Sequence, residues 1–268
     1  MSTRGGLRGR RVVVTRAPHQ AGELARLLED RGARVLYLPV IRIADPLDWA
    51  PLDDALRALA SGRYTWVAFA SANAVGKVMD RVDRLGLDGV ALARARVAAV
   101  GPTTAAALRA RGVEPDAVPA AFTAAALARS LGPGSGAVLL PRVEGAPRAP
   151  LVALRDRGWR PEQVVAYRNL PADPTPAVDD VRARRFDALT LASASAARGL
   201  VRLLGNPAEL GLAPEQDSPC VVACIGPQTA EAAGRCGLRV DVVASEHSAA
   251  GLVAALDERF VRHPRMAP

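Results

Sequence analysis

Two stretches carry residue types suited to holding anions. Val97 to Gly112 contains Gly101-Pro102-Thr103-Thr104, and Val221 to Gly237 contains Gly226-Pro227-Gln228-Thr229. In each, an apolar run ends at glycine, proline stands where the first helical residue belongs, and hydroxyl or amide side chains fall in the first turn. A helix begun this way leaves backbone N–H groups pointing outward at the positive end of its dipole, which suits carboxylates or phosphates. Ser71 with Asn73, and Ser193 with Ser195, open two more helices directly after apolar strands, and serine is a natural N-cap. Arg16 and Arg142 follow two further apolar runs, where a guanidinium can meet a carboxylate face to face.

These residues need a scaffold that brings strand ends together, and the chain alternates strand and helix throughout. Arg11 to Thr15 reads as a strand, followed after Pro18 by a helical pattern of leucines ending at Gly32. Ala33 to Ile43 is extended but interrupted by Pro39, so it is two strands or a connector. A helix around Leu52 to Leu59 precedes the strand Trp66 to Ala70 and the Ser71 helix. The strand Val97 to Val100 and the first Gly-Pro helix follow, and then Phe122-Thr123 opening the helix Ala124 to Leu131. Ala137 to Leu140 is a strand ending at Pro141-Arg142; a helical segment runs on to Gly158, and Gln163 to Tyr167 is extended.

From there the pattern repeats. Arg16 and Gly32 match Arg142 and Gly158, 126 residues on; Ser71 matches Ser193, 122 on; Gly101, Gly112 and Thr123 match Gly226, Gly237 and Ser248, 125 on. A period this long is duplication of a domain, since solenoid repeats run to about 50 residues at most. Strands alternating with helices predict parallel sheets covered on both faces, with ligands at the carboxyl ends of the strands. Arg16, Ser71, Thr103, Thr104, Arg142, Ser193, Gln228 and Thr229 all fall at such ends.

Composition narrows the partners. The 268 residues suffice for two domains, and no apolar run approaches the roughly 20 residues of a membrane span. The basic N-terminus leads straight into a strand without a signal core, so a cytoplasmic location is expected. Cys220, Cys224 and Cys236 are too few and wrongly spaced for a disulfide framework or zinc site, and His19, His247 and His263 are scattered; no metal is expected. A formal charge of +8 favours a polyanionic partner. No basic run is interleaved with aromatics, which sets nucleic acid behind a small polycarboxylate. Gly132-Pro133-Gly134-Ser135-Gly136 precedes a strand and fits a turn better than a phosphate loop.

The motifs Val12-Val13-Val14-Thr15-Arg16, Phe69-Ala70-Ser71-Ala72-Asn73-Ala74-Val75, Ala99-Val100-Gly101-Pro102-Thr103-Thr104, Val165-Ala166-Tyr167, Ile225-Gly226-Pro227 and Gly251-Leu252 together resemble the uroporphyrinogen-III synthase family. Each is short; their order, spacing and duplication make the match. The resemblance implies an α/β protein of two similar parallel-sheet, flavodoxin-like domains joined by a two-stranded linker. One domain would be discontinuous, residues 1–38 with 171–268, the other 43–166, with linker strands at 39–42 and 167–170. The implied substrate is hydroxymethylbilane, a linear tetrapyrrole with eight carboxylates, closed without cofactor into uroporphyrinogen III with inversion of ring D. The substrate would lie in a cleft between the domains.

By the same resemblance Tyr167 is the catalytic candidate, a phenol donating to the departing hydroxyl. Arg16, Ser71, Asn73, Thr103, Thr104, Arg142, Ser193, Ser195, Gln228 and Thr229 are the substrate-binding candidates. A monomer is implied, with porphobilinogen deaminase as a transient partner. The chain departs from the family pattern at Ala70, Ala192, Ala194 and Gln228, leaving fewer hydroxyls along the site. The alternative reading is a non-catalytic tetrapyrrole-binding or regulatory module of the same fold, against which the short stretch after Phe260 leaves too little chain for a DNA-binding domain.

Overall fold

The computed structural model describes residues 5–87, 92, 94–121 and 123–263. Phe122 of the expected Phe122-Thr123 helix start lies outside the described residues. In chain order the elements are β1 (Arg11–Val14), α1 (Pro18–Glu29), β2 (Arg34–Tyr37), β3 (Ile41–Ala44), α2 (Ala50–Ala60), β4 (Tyr64–Phe69), α3 (Ala72–Arg84), β5 (Arg96–Ala99) and α4 (Pro102–Arg109). They continue with α5 (Ala124–Ser130), β6 (Gly136–Val143), α6 (Ala149–Arg155), β7 (Trp159–Pro171), α7 (Ala177–Arg182), β8 (Ala188–Leu191) and α8 (Ala194–Leu204). The last are β9 (Val221–Cys224), α9 (Pro227–Arg235), β10 (Val242–Val243) and α10 (Ala249–Arg262).

The strands form two five-stranded sheets, ordered β2-β1-β8-β9-β10 and β3-β7-β6-β4-β5, and every pairing given by register is parallel. The chain divides into two compact units, one of residues up to Arg42 together with those from Leu170 onward, the other Ile43–Asn169.

In the first unit the strand residues alternate between faces, as the two-residue period of a strand requires. Val13, Leu189, Leu191, Val222 and Cys224 pack with Val181, Ala197 and Leu200 of α7 and α8. Val12, Val14, Ala188 and Ala223 pack on the other face with Leu24 and Leu28 of α1 and Leu252 and Leu256 of α10. Cys220 and Cys224 are buried thiols in or beside β9, and burial pushes the Cys224 thiol up to about 12. Two buried threonines tie β1 to β8, Thr15 Oγ1 donating to the Thr190 carbonyl at 2.8 Å and Thr190 Oγ1 to the Val13 carbonyl at 3.0 Å.

The second unit repeats the layering. Val67, Phe69, Val97, Ala99 and Leu139 face α2, α3 and α4, while Trp66, Ala68, Ala98, Val138 and Leu140 face α5 and α6. Burying apolar surface on both faces of a sheet, at roughly 25 cal/mol per Å², is what permits continuous apolar strands such as Trp66–Phe69.

The expected strand ending at Leu140 instead runs on to Val143, through Pro141. Proline is tolerated because β4 pairs with β6 only as far as Leu139, so beyond that point β6 needs its hydrogen bonds on the β7 side alone. Pro39 falls between β2 and β3, which belong to different sheets, so the interrupted Ala33 to Ile43 stretch is two strands.

Candidate active site

All of the candidate side chains stand near the carboxyl ends of parallel strands, at the starts of the helices that follow or on the strands themselves. In the second unit Ser71, Asn73 and Arg142 gather about one phenol. Tyr167 in β7 is 6% exposed, and its hydroxyl lies 3.0 Å from Ser71 Oγ. Ser71 is the N-cap of α3, extended at φ −163 and ψ 151, and its Oγ accepts from the Ala74 amide at 3.1 Å. Burial raises the Tyr167 phenol above its ordinary value; hydrogen bonding with Ser71 and Asn73 and the charge of Arg142 pull it part of the way back. The net rise keeps the phenol protonated at neutral pH and so able to donate.

Arg142 is buried near the end of β6. One guanidinium nitrogen donates to the Pro147 carbonyl at 2.7 Å and to Gln163 Oε1 at 3.2 Å, and no carboxylate pairs with it among the described residues. Desolvation lowers its pKa and the phenol's proximity opposes that, but arginine stays charged in either case. Its charge therefore acts beside Tyr167.

Thr103 and Thr104 begin α4, which packs beside α3. Thr104 is buried and Thr103 exposed. Gly101 caps α4 with no side-chain hydrogen bond, and Pro102 has no N–H, so the first-turn amides lack the side-chain partner that Ser71 supplies to α3.

The first unit holds the remaining candidates. Ser193 caps α8 by accepting from the Ala196 amide at 3.1 Å, and its Oγ lies 3.0 Å from Ser195 Oγ. Gly226, again without a side-chain cap, starts α9, where Gln228 is exposed and Thr229 buried. Arg16 follows β1, exposed and without an ion-pair partner among the described residues; the protein mass around its guanidinium still lowers its pKa through desolvation. Each set of candidates thus belongs to its own unit.

One neighbour, His247, is not among the candidates that the sequence suggests. The imidazole of His247 packs against Gly226 so closely that a Cβ there would come within 2.8 Å of Cδ2. Gly226 has φ 178, which any residue adopts, so the glycine supplies room for the ring. The signal was available in the repeat: His247 stands 125 residues after Phe122, immediately before Ser248 as Phe122 is before Thr123. No cluster of His, Cys, Asp and Glu capable of holding a metal ion occurs among the described residues.

Residues 22–254 match the family model described as uroporphyrinogen-III synthase HemD. The chain belongs to the uroporphyrinogen-III synthase family. A relative from Synechococcus elongatus named uroporphyrinogen-III synthase is 32% identical over 93% of this chain and 95% of its own length. Another of that name, from Chlorobaculum parvum, is 27% identical over 87% of this chain and 92% of its own length. Among solved structures, a mutant uroporphyrinogen III synthase from Thermus thermophilus is similar with a TM-score of 0.68 at 25% identity, covering 95% of this chain and 99% of that one. Within this synthase family the chain's strand-end side chains are the candidate machinery, and Tyr167 is the one phenol among them, buried like Thr104 and Thr229.

Proposed function

We infer that the protein is a uroporphyrinogen-III synthase, an enzyme of tetrapyrrole and haem biosynthesis that dehydrates hydroxymethylbilane and closes it with inversion of ring D to uroporphyrinogen III. The family match across residues 22–254 carries this reading. Tyr167 gives its proton to the terminal hydroxyl as the C–O bond breaks and a pyrrole nitrogen supplies the electron pair. Water leaves, the pyrrole N–H gives its proton to the Tyr167 phenolate, and an azafulvene remains. Attack from the substituted carbon of the last ring gives a spiro-pyrrolenine that rearranges before closure, with no cofactor. The protein's task is to hold one folded conformer against the uninverted closure.

The helix starts supply that hold. The uncapped first turns after Gly101 and Gly226 take substrate carboxylates, each worth about 0.3–1 kcal/mol from the dipole. Arg16, Asn73, Thr103, Thr104, Arg142, Ser195, Gln228 and Thr229 serve the same substrate.

The two units arose by duplication. In support, Asp116 accepts from the Val97 amide at 2.7 Å and Asp241, 125 residues later, from the Val222 amide at 2.8 Å, and β2-β1-β8-β9 of one unit and β7-β6-β4-β5 of the other share one flavodoxin-like order. Residues 39–42 and 167–170 act as the linker, with domains at 1–38 plus 171–268 and at 43–166. The enzyme works as a cytoplasmic monomer and receives its substrate from porphobilinogen deaminase.

A coupled assay tests the reading: the deaminase supplies hydroxymethylbilane, and the oxidised products are resolved by isomer. Type III product is expected. Type I product alone would overturn the assignment.

A further inference from the structure

We propose that Ser71 is a positioning residue for Tyr167, its hydroxyl proton donated to the phenol oxygen so that the phenol's own proton remains for the substrate. The proposal rests on Tyr167 being the proton donor of the reaction.

A serine hydroxyl has one proton to give and two lone pairs to accept with. Ser71 Oγ uses one lone pair on the Ala74 amide, 3.1 Å away, and touches the Tyr167 hydroxyl at 3.0 Å. The 3.0 Å contact admits either hydroxyl as donor; if the phenol donated across it, the phenol's proton would be spent on Ser71 and withheld from the substrate. If Ser71 donates, its cap and its proton are both used, and the phenol O–H is unspent.

Neither partner can drift from this arrangement. Ser71 is fixed between β4 and α3 by the cap, and Tyr167 packs into the core that includes Phe69, Val75 and Leu139. Asn73 and Arg142 are the other groups acting on the phenol. The same cap at Ser193 closes on its own neighbour Ser195, so the donation to a tyrosine belongs to one unit only.

Three substitutions separate capping from donation. Aspartate caps a helix as well as serine but has no proton to donate at neutral pH, threonine retains both abilities, and alanine has neither. Ser71→Thr is expected to keep turnover, while Ser71→Ala and Ser71→Asp lose about tenfold to a hundredfold in kcat with KM far less affected. In a Tyr167→Phe background, Ser71→Ala should cost nothing further. Ultraviolet titration of tyrosinate, with Tyr167 identified by difference against Tyr167→Phe, should show its midpoint moved upward by Ser71→Ala, because the hydrogen bond that favours the phenolate is gone.

Native turnover in Ser71→Asp, an undiminished Ser71→Ala loss in the Tyr167→Phe background, or an unmoved midpoint would each overturn the proposal. Native turnover in Tyr167→Phe would instead overturn the role of the tyrosine, and with it the catalytic purpose assigned to Ser71.

Discussion

At the start of α3, Ser71 caps the Ala74 amide and lies 3.0 Å from Tyr167; at the start of α8, Ser193 caps the Ala196 amide and lies 3.0 Å from Ser195. Local backbone and cap are alike, yet only one is joined to a buried phenol. The residue 126 positions before Tyr167 is Ile41, whose side chain lies against α8 so closely that a Cβ on Gly199 would come within 2.9 Å of Ile41 Cγ2. Where one unit has a buried phenol beside its cap, the other has apolar packing. Both units therefore keep serine-capped and uncapped helix starts, while only one of them sets a phenol beside its serine cap.

Removing the donor tests that contrast most severely. Tyr167→Phe is expected to lower kcat by about a hundredfold or more, the usual scale of general acid catalysis, with a much smaller change in KM. Steady-state rates with enzymatically supplied hydroxymethylbilane would show it, and an unchanged kcat would erase the functional difference between the two serine caps.

A second experiment probes the other unit. Gly226→Ala forces a methyl group against the His247 imidazole, which should cost about 1–3 kcal/mol of stability as overpacking. Because Gly226 is extended at φ 178, the backbone itself does not object, and in a His247→Ala background the cost should largely vanish. Thermal unfolding of the four proteins measures this coupling; an equal loss in both backgrounds would mean that something other than the ring demands glycine.

The smallest expected difference lies in acid. Asp53 of the second unit is held by Arg81 through two hydrogen bonds of 2.6 Å, and that contact keeps its carboxyl below the usual range. In the first unit Asp180 is likewise lowered, chiefly by Arg185 and then by Arg11. A carboxylate with a depressed folded pKa adds stability that is fully present above its unfolded value, about 3.9, and is lost as pH falls through the folded one. Arg81→Met should therefore flatten the acid limb of the stability curve more than Arg185→Met, since Asp180 keeps Arg11 while Asp53 loses both of its hydrogen bonds. Equal effects in acid titrations of the two variants would refute the ranking.

Much of this organisation was legible in the residues. The β-branched run Val12–Val14 and the apolar run Trp66–Phe69 could bury both faces only in a covered parallel sheet, and Ser71 and Ser193 read as caps because a short hydroxyl before a helix has few other uses. Contacts made by tertiary packing were not. Tyr167 and Ser71 are 96 residues apart, and no local period relates them. Pro141 looked like a strand end because propensity carries no information on which neighbouring strand has already departed. His247 was passed over as one of three scattered histidines, although its place in the repeat set it beside the second Gly-Pro turn.

The Thr15–Thr190 hydrogen bond, spanning 175 residues, also bears on how the chain is born. β1 emerges from the ribosome early, but its partner β8 is made only after the whole of Ile43–Asn169. At roughly 5–20 residues per second that delay is on the order of ten to thirty seconds. Throughout it Val12, Val13 and Val14 are sticky and without β8, while the inserted unit has all of its own strands and can fold first. The nascent protein therefore passes through a stage in which its middle is finished and its beginning still waits, and that interval is where a holding chaperone would have the most to do.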